Sequence, residues 1–180
     1  MIKRLFDLIF SIILLTLLGW IIILGFVFAS IDTKSNGFFF QKRVGQNGTL
    51  FTIFKLKTLQ SDGSISRLGR FLRNSKLDEL PQLWNILKGD MSFVGPRPDV
   101  QGYYDLLEGE ERKLLELKPG LTCEASIKYV NEEALLAAQE DPLQYNDTVI
   151  FRDKVRMNLD YYYNRSFFWD LRVIWRSLGV

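Results

Sequence analysis

Histidine is absent from all 180 residues, and cysteine occurs once, at Cys123. The first absence excludes histidine acid–base catalysis, a serine–histidine triad and the usual zinc sites. Any metal must then take oxygen ligands, which suits magnesium or calcium better than a transition metal. The second excludes an internal disulfide and fits a reducing compartment, and a lone thiol without histidine lacks its usual activator. A large net charge is also missing: 23 basic and 21 acidic residues leave +2. A nucleic-acid partner is therefore not expected. There is no internal repeat, low-complexity tract or long linker.

What the chain does have begins with an apolar run. Leu8 to Ile31 is 24 residues without a charge, roughly 36 Å of helix at about 1.5 Å per residue, enough to cross a bilayer core. It is too long for a cleavable signal, whose apolar part spans about 7–15 residues. Lys3 and Arg4 precede it. From residue 33 to residue 76 there follow nine basic residues and one acid, Asp62. Basic flanks favour the cytoplasm, and here both flanks are basic, so a helix that enters, bends and returns satisfies them better than a straight span. Gly19 and Gly25 are the expected places for a break. The same basic stretch suits anionic lipid headgroups. The expected division is an anchor over 1–32 and one cytosolic domain over 33–180.

The richest segment is 75–98. Pro81 lacks an N–H and is harmless in a first helical turn, so it predicts a helix beginning at about Leu77 to Leu80, with Asp78 at or beside the N-cap. Leu77, Leu80, Leu83, Trp84 and Leu87 then form an apolar stripe, with Asp78, Gln82 and Asn85 off it and Asp78 accessible. The adjacent acids Asp78 and Glu79 at such an end are ordinary capping residues, or carboxylates held where phosphate also binds. Gly95-Pro96-Arg97-Pro98 follows as a rigid corner carrying a permanent cation. The pattern is a carboxylate site expected to face an anion site.

Around this segment, residues 38–59 read as a hairpin turning at Asn47-Gly48, with Arg43, Lys55 and Lys57 on or near a small sheet. Helices are predicted over 101–117, ending at Lys118-Pro119-Gly120, and over 131–140 before Asp141-Pro142. A last helix, Arg165 to Leu178, places Phe167, Leu171, Ile174, Trp175 and Leu178 on one face. That face suits either a core or a membrane interface. The fold class is helix-rich α/β: an N-terminal membrane-inserted, re-entrant helix, a short β-hairpin and amphipathic interfacial helices.

Five runs in register carry a resemblance: Lys3-Arg4-Leu5-Phe6-Asp7, Phe40-Gln41-Lys42-Arg43-Val44-Gly45, Phe54-Lys55-Leu56-Lys57-Thr58, Leu77-Asp78-Glu79-Leu80-Pro81-Gln82-Leu83 and Lys88-Gly89-Asp90-Met91-Ser92-Phe93-Val94-Gly95-Pro96-Arg97-Pro98. Together they resemble the bacterial sugar transferases, the monotopic phosphoglycosyl transferases. The resemblance implies transfer of a sugar 1-phosphate from a UDP-sugar to polyprenyl phosphate, usually undecaprenyl phosphate, at the start of capsule, exopolysaccharide or O-antigen assembly. It implies magnesium at Asp78 and Glu79, with Asp78 as nucleophile through an aspartyl-phosphosugar intermediate and Glu79 either binding the ion or orienting the site. It further implies Arg97 and Lys55 on phosphate, with Lys57, Arg43 and Gln82 as further substrate contacts. The expected location is the bacterial inner membrane, active on the cytoplasmic face, beside downstream glycosyltransferases.

The match has gaps. Where many members carry Ser-Pro in the apolar segment, this chain has Gly19-Trp20. Where many read Thr-Gly-x-x-Gln-Val-x-Gly-Arg, it has Leu121 to Tyr129, with Lys128 as the candidate substitute for the missing arginine. The chain otherwise resembles the minimal form, without further N-terminal membrane helices. The competing reading is a non-catalytic anchored module that binds anionic lipids or partner enzymes.

Overall fold

The computed structural model describes residues 2–179, which form two compact units. The first comprises residues 1–43 and 50–91. Its α1, Ile2–Thr33, is one continuous helix, long and apolar enough to cross a membrane. Gly19 does not interrupt it, because a glycine still donates and accepts the helical hydrogen bonds. Asp7 and Ser11 are buried near one end and Gly25, Ala29 and Thr33 near the other, while of the described residues between Ser11 and Gly25 none is buried. The hairpin is as expected: β1, Phe38–Val44, pairs with β2, Leu50–Leu56, around a turn in which Asn47 and Gly48 have φ of 57° and 74°. Asparagine and glycine tolerate that left-handed backbone best.

Two short helices complete this unit: α2, Arg67–Asn74, capped by the Ser66 side chain, and α3, Gln82–Lys88, ended by Gly89 at φ 95°. The acid pair is not in the first turn of α3. Lys76 adopts a left-handed backbone (φ 57°), which starts a separate 3-10 turn over Leu77–Glu79, and Pro81 then caps α3. The buried face of α3 is Gln82, Leu83, Asn85 and Ile86, with Trp84 turned out to solvent, so the expected leucine stripe is rotated. The rotation has a polar cause. Asn85, fully buried, donates Nδ2 to the Thr52 carbonyl (2.7 Å) and accepts the Phe54 amide (3.1 Å), tying α3 to β2 on either side of Ile53.

The second unit comprises residues 44–49 and 92–180. Strands β3, Ser92–Val94, and β4, Gly120–Thr122, pair in parallel, Ser92 opposite Gly120 and Val94 opposite Thr122. The segment predicted as a helix over 101–117 is instead two 3-10 turns, 104–106 and 111–116, because Gly102 and Gly109 take positive φ and break any helix. Then come α4, Glu124–Lys128, α5, Glu132–Ala137, and α6, Pro142–Tyr145. A π-helical turn, Asn146–Ile150, leads into α7, Phe151–Asn164, followed by α8, Phe167–Ser177. Val44, Tyr104, Leu107, Leu114, Leu115, Phe151 and Val155 form this unit's core. On α8 the core-facing residues are Asp170 and Val173, whereas Phe168, Trp175 and Leu178 stay more than three-quarters exposed.

Candidate active site

In the first unit, Asp78 and Glu79 are 8% and 9% exposed, so Asp78 is buried rather than accessible as its sequence suggested, and Glu79 is buried with it. Lys55, one residue before the end of β2, places Nζ 3.0 Å from Glu79 Oε1. Burial, and after it the Glu79 charge, pushes the Asp78 carboxyl above the usual carboxylate range; Lys55, Lys76 and Arg73 oppose this. Desolvation penalises the charged form, and a neighbouring like charge adds to that penalty. Arg73 is held by a hydrogen bond from Nε to Thr58 Oγ1 (2.9 Å). Gln82 is buried one turn on, and its Nε2 makes no hydrogen bond among the described residues.

In the second unit, Arg97 is exposed between Pro96 and Pro98, at the end of β3. The corner is fixed by main-chain hydrogen bonds, Gly120 N–H to the Pro96 carbonyl (2.8 Å), Gly95 N–H to the Thr122 carbonyl (3.2 Å) and Ser92 N–H to the Pro119 carbonyl (2.9 Å). The two segments approach so closely that a Cβ on Gly120 would lie 2.1 Å from Gly95 N, and one on Gly95 would lie 2.3 Å from the Lys118 carbonyl oxygen. Only glycine fits at either position. Pro96 to Pro98 border a small hollow with Tyr104 and Leu117.

The sequence profile of the bacterial sugar transferases matches residues 1–180. The chain belongs to that family. It is similar to the uncharacterized sugar transferase EpsL of Bacillus subtilis (strain 168), 34% identical over 183 residues that cover 96% of this chain and 83% of that protein. It is similar also to the UDP-glucose:undecaprenyl-phosphate glucose-1-phosphate transferase of Caulobacter vibrioides, 29% identical over 193 residues (98% of this chain, 68% of that protein). A third relative, the exopolysaccharide production protein ExoY of Rhizobium meliloti, is 27% identical over 206 residues (99% and 84%).

In this sugar transferase the first unit brings together Asp78, Glu79 and Lys55, while Arg97 belongs to the second unit. Lys57 is drawn elsewhere, donating to Ser35 Oγ (2.7 Å), and Arg43 donates to Gln41 Oε1 (2.6 Å). Lys128 lies 2.5 Å from Asp153 Oδ2. Asp153 also accepts from Tyr129 (2.8 Å) and Arg156 (2.6 Å), and these hydrogen bonds, that from Lys128 first, hold its carboxyl down at about 2. Lys128 is thus engaged in an ion pair of the second unit.

Sequence reasoning missed Arg73 and Lys76, whose charges act on Asp78; their place at the end of α2, just before the acid turn, was the available signal. It also missed the part played by Lys118-Pro119-Gly120, read as a helix stop and found to be the backbone on which the Arg97 corner rests. For magnesium, the sugar transferase offers the buried Asp78 and Glu79; among the described residues no cluster of three or more acidic or cysteine side chains forms a closed cage. That fits an ion which keeps water and substrate phosphate oxygens in most of its coordination sphere. Burial, and after it Glu79, raises the Asp78 carboxyl, and a cation bound there would favour its ionised form.

Proposed function

We propose that this sugar transferase moves a sugar 1-phosphate from a UDP-sugar to undecaprenyl phosphate through a covalent aspartyl-phosphosugar intermediate. The observation that carries the proposal is the buried Asp78-Glu79 pair, with Lys55 on Glu79 and with Asp78, among the described residues, left without an ion-pair partner at bonding distance. The names borne by the Caulobacter relative, and by a 30% identical undecaprenyl-phosphate glucose phosphotransferase of Komagataeibacter xylinus, support the donor and acceptor.

An ionised carboxylate needs no base to attack phosphorus, which suits a chain without histidine. An Asp78 carboxylate oxygen forms a bond to the phosphorus bearing the sugar, the bond from that phosphorus to the bridging oxygen breaks, and UMP leaves with the oxygen. A phosphate oxygen of the lipid then attacks the same phosphorus, and the Asp78 carboxylate departs with its electron pair. Burial makes the ionised Asp78 poorly solvated and therefore more nucleophilic, while Lys55 holds Glu79 in place beside it. Arg97, fixed by its prolines and by the Gly95–Gly120 contact, offers a rigid fork for phosphate oxygens. Asp78 and Glu79 are the residues that would hold magnesium, which when bound neutralises charge on the phosphate oxygens.

The reaction belongs at the cytoplasmic face of a bacterial inner membrane. Arg4 and Asp32, near the two ends of the continuous α1, are held by other elements of the same unit, the end of α3 and the Ser66 cap of α2, which supports both ends of the helix lying on one side of the membrane. Trp175, Phe168 and Leu178, exposed on α8, suit the lipid interface. Release of UMP by the detergent-purified full chain, with undecaprenyl phosphate, magnesium and a panel of UDP-sugars, tests the proposal. Release that requires the lipid acceptor and is lost in Asp78→Asn supports it; equal release by both proteins refutes it.

A further inference from the structure

The acid turn hangs between two helices, α2 before it and α3 after it, of eight and seven residues. Helices this short are not stable alone and depend on caps and packing. Each has its far end capped from α1. At the C-terminus of α3, Arg4 Nη1 donates to the Ile86 carbonyl (2.6 Å) and Nη2 to the Leu87 carbonyl (2.8 Å). At the N-terminus of α2, Ser66 Oγ accepts the Gly69 amide (2.9 Å) and donates to Asp32 Oδ2 (2.6 Å). The signs are right for both helix dipoles, a cation at a C-terminus and an anion at an N-terminus.

We infer that α1 is a two-ended clamp on the acid turn, with Arg4 and Asp32 as positioning residues for Asp78 and Glu79. One end of α1 fixes where the turn begins and the other fixes where it ends. Gly25 of α1 also lies against Leu56, the neighbour of Lys55, so the lysine strand rests on the same helix. The apolar helix is then part of the catalytic construction as well as a candidate anchor. This rests on the proposed role of Asp78, and it separates two meanings of Arg4. As a charge that orients a membrane helix, Arg4 is replaceable by lysine. As a fork on two carbonyls, it is not, because the three donors of an ammonium radiate from one nitrogen and do not reproduce the planar pair of nitrogens that spans the Ile86 and Leu87 carbonyls.

The test compares wild type, Arg4→Lys and Asp32→Asn as full chains in lipid nanodiscs. It reads UMP release and hydrogen–deuterium exchange of the backbone amides of residues 77–91. Both variants are expected to insert as wild type does and to exchange faster over that segment. Their kcat should fall about tenfold, the equivalent of ~1.4 kcal/mol, with KM for the UDP-sugar changed less than about twofold, as for lost alignment of a nucleophile. Unchanged exchange in Arg4→Lys overturns the clamp whatever the activity does. Faster exchange with wild-type kcat overturns the positioning role. If the wild type itself releases no UMP, the proposed reaction fails, and exchange alone then decides the clamp.

Discussion

Lys55 Nζ lies 3.0 Å from Glu79 Oε1, so the cation contributed by β2 is bonded to the second acid of the pair, not the first. Asp78 feels that charge only through space, and its carboxyl stays raised by burial and by Glu79. Lys55→Met should therefore raise the Asp78 pKa further. Because the nucleophile must be ionised, the acid limb of the kcat/KM profile should move to higher pH and the rate at neutral pH should fall. A limb that stays in place would dissociate Lys55 from the nucleophile.

Buried Asn85 makes the two bonds that join α3 to β2. Asn85→Leu would leave the Thr52 carbonyl and the Phe54 amide without these partners in a buried setting. A destabilisation of about 3 kcal/mol is expected, from ~1–3 kcal/mol for each buried group left unpaired. Thermal unfolding followed by circular dichroism in detergent measures it, and a melting temperature within experimental error of wild type would contradict it.

Gly120→Ala puts a Cβ against Gly95 main-chain atoms, with no flexible side chain able to give way. The expected result is displacement of the Pro96-Arg97-Pro98 corner. KM for the donor should rise about tenfold or more, comparable to loss of a charge-assisted phosphate contact. Arg97→Ala should reproduce the KM change without the accompanying drop in thermal stability.

Two acids give opposite pH signatures. Asp78 has a raised carboxyl, so the folded state holds its proton more tightly than the unfolded chain; its contribution to stability is best at low pH and diminishes as pH rises from 3.8 through the raised value. Asp153 is lowered from 3.8 to about 2, and contributes stability above 3.8 that is lost as pH falls toward 2. Asp153→Asn should flatten the acid end of the stability profile. Asp78→Asn should raise stability at neutral pH while removing activity. Denaturation midpoints between pH 2 and 7 measure both signs.

The legible parts of the fold were those written in local chemistry. Asn47-Gly48 announced the hairpin and the uncharged run announced α1, because turn geometry and helical hydropathy act over a few neighbouring residues. The runs that hold Asp78, Glu79 and Lys55 were legible as motifs, and the fold brings these three proposed site residues together. The burial of the acid pair was not, since it follows from Lys76 entering a left-handed backbone and from Asn85 turning α3 onto β2. Neither leaves a periodic trace. The failed helix over 101–117 shows the reverse case: Gly102 and Gly109 were visible, but their positive φ was not.

The covalent step can be read by intact-protein mass spectrometry. The full-length protein is mixed with magnesium and an accepted UDP-sugar without lipid acceptor, then quenched in acid. A mass gain of one sugar phosphate, mapped to Asp78, absent from Asp78→Asn and discharged by undecaprenyl phosphate, is the predicted result. UMP release and lipid product from wild type with no adduct at Asp78, together with undiminished turnover in Asp78→Asn, would contradict it.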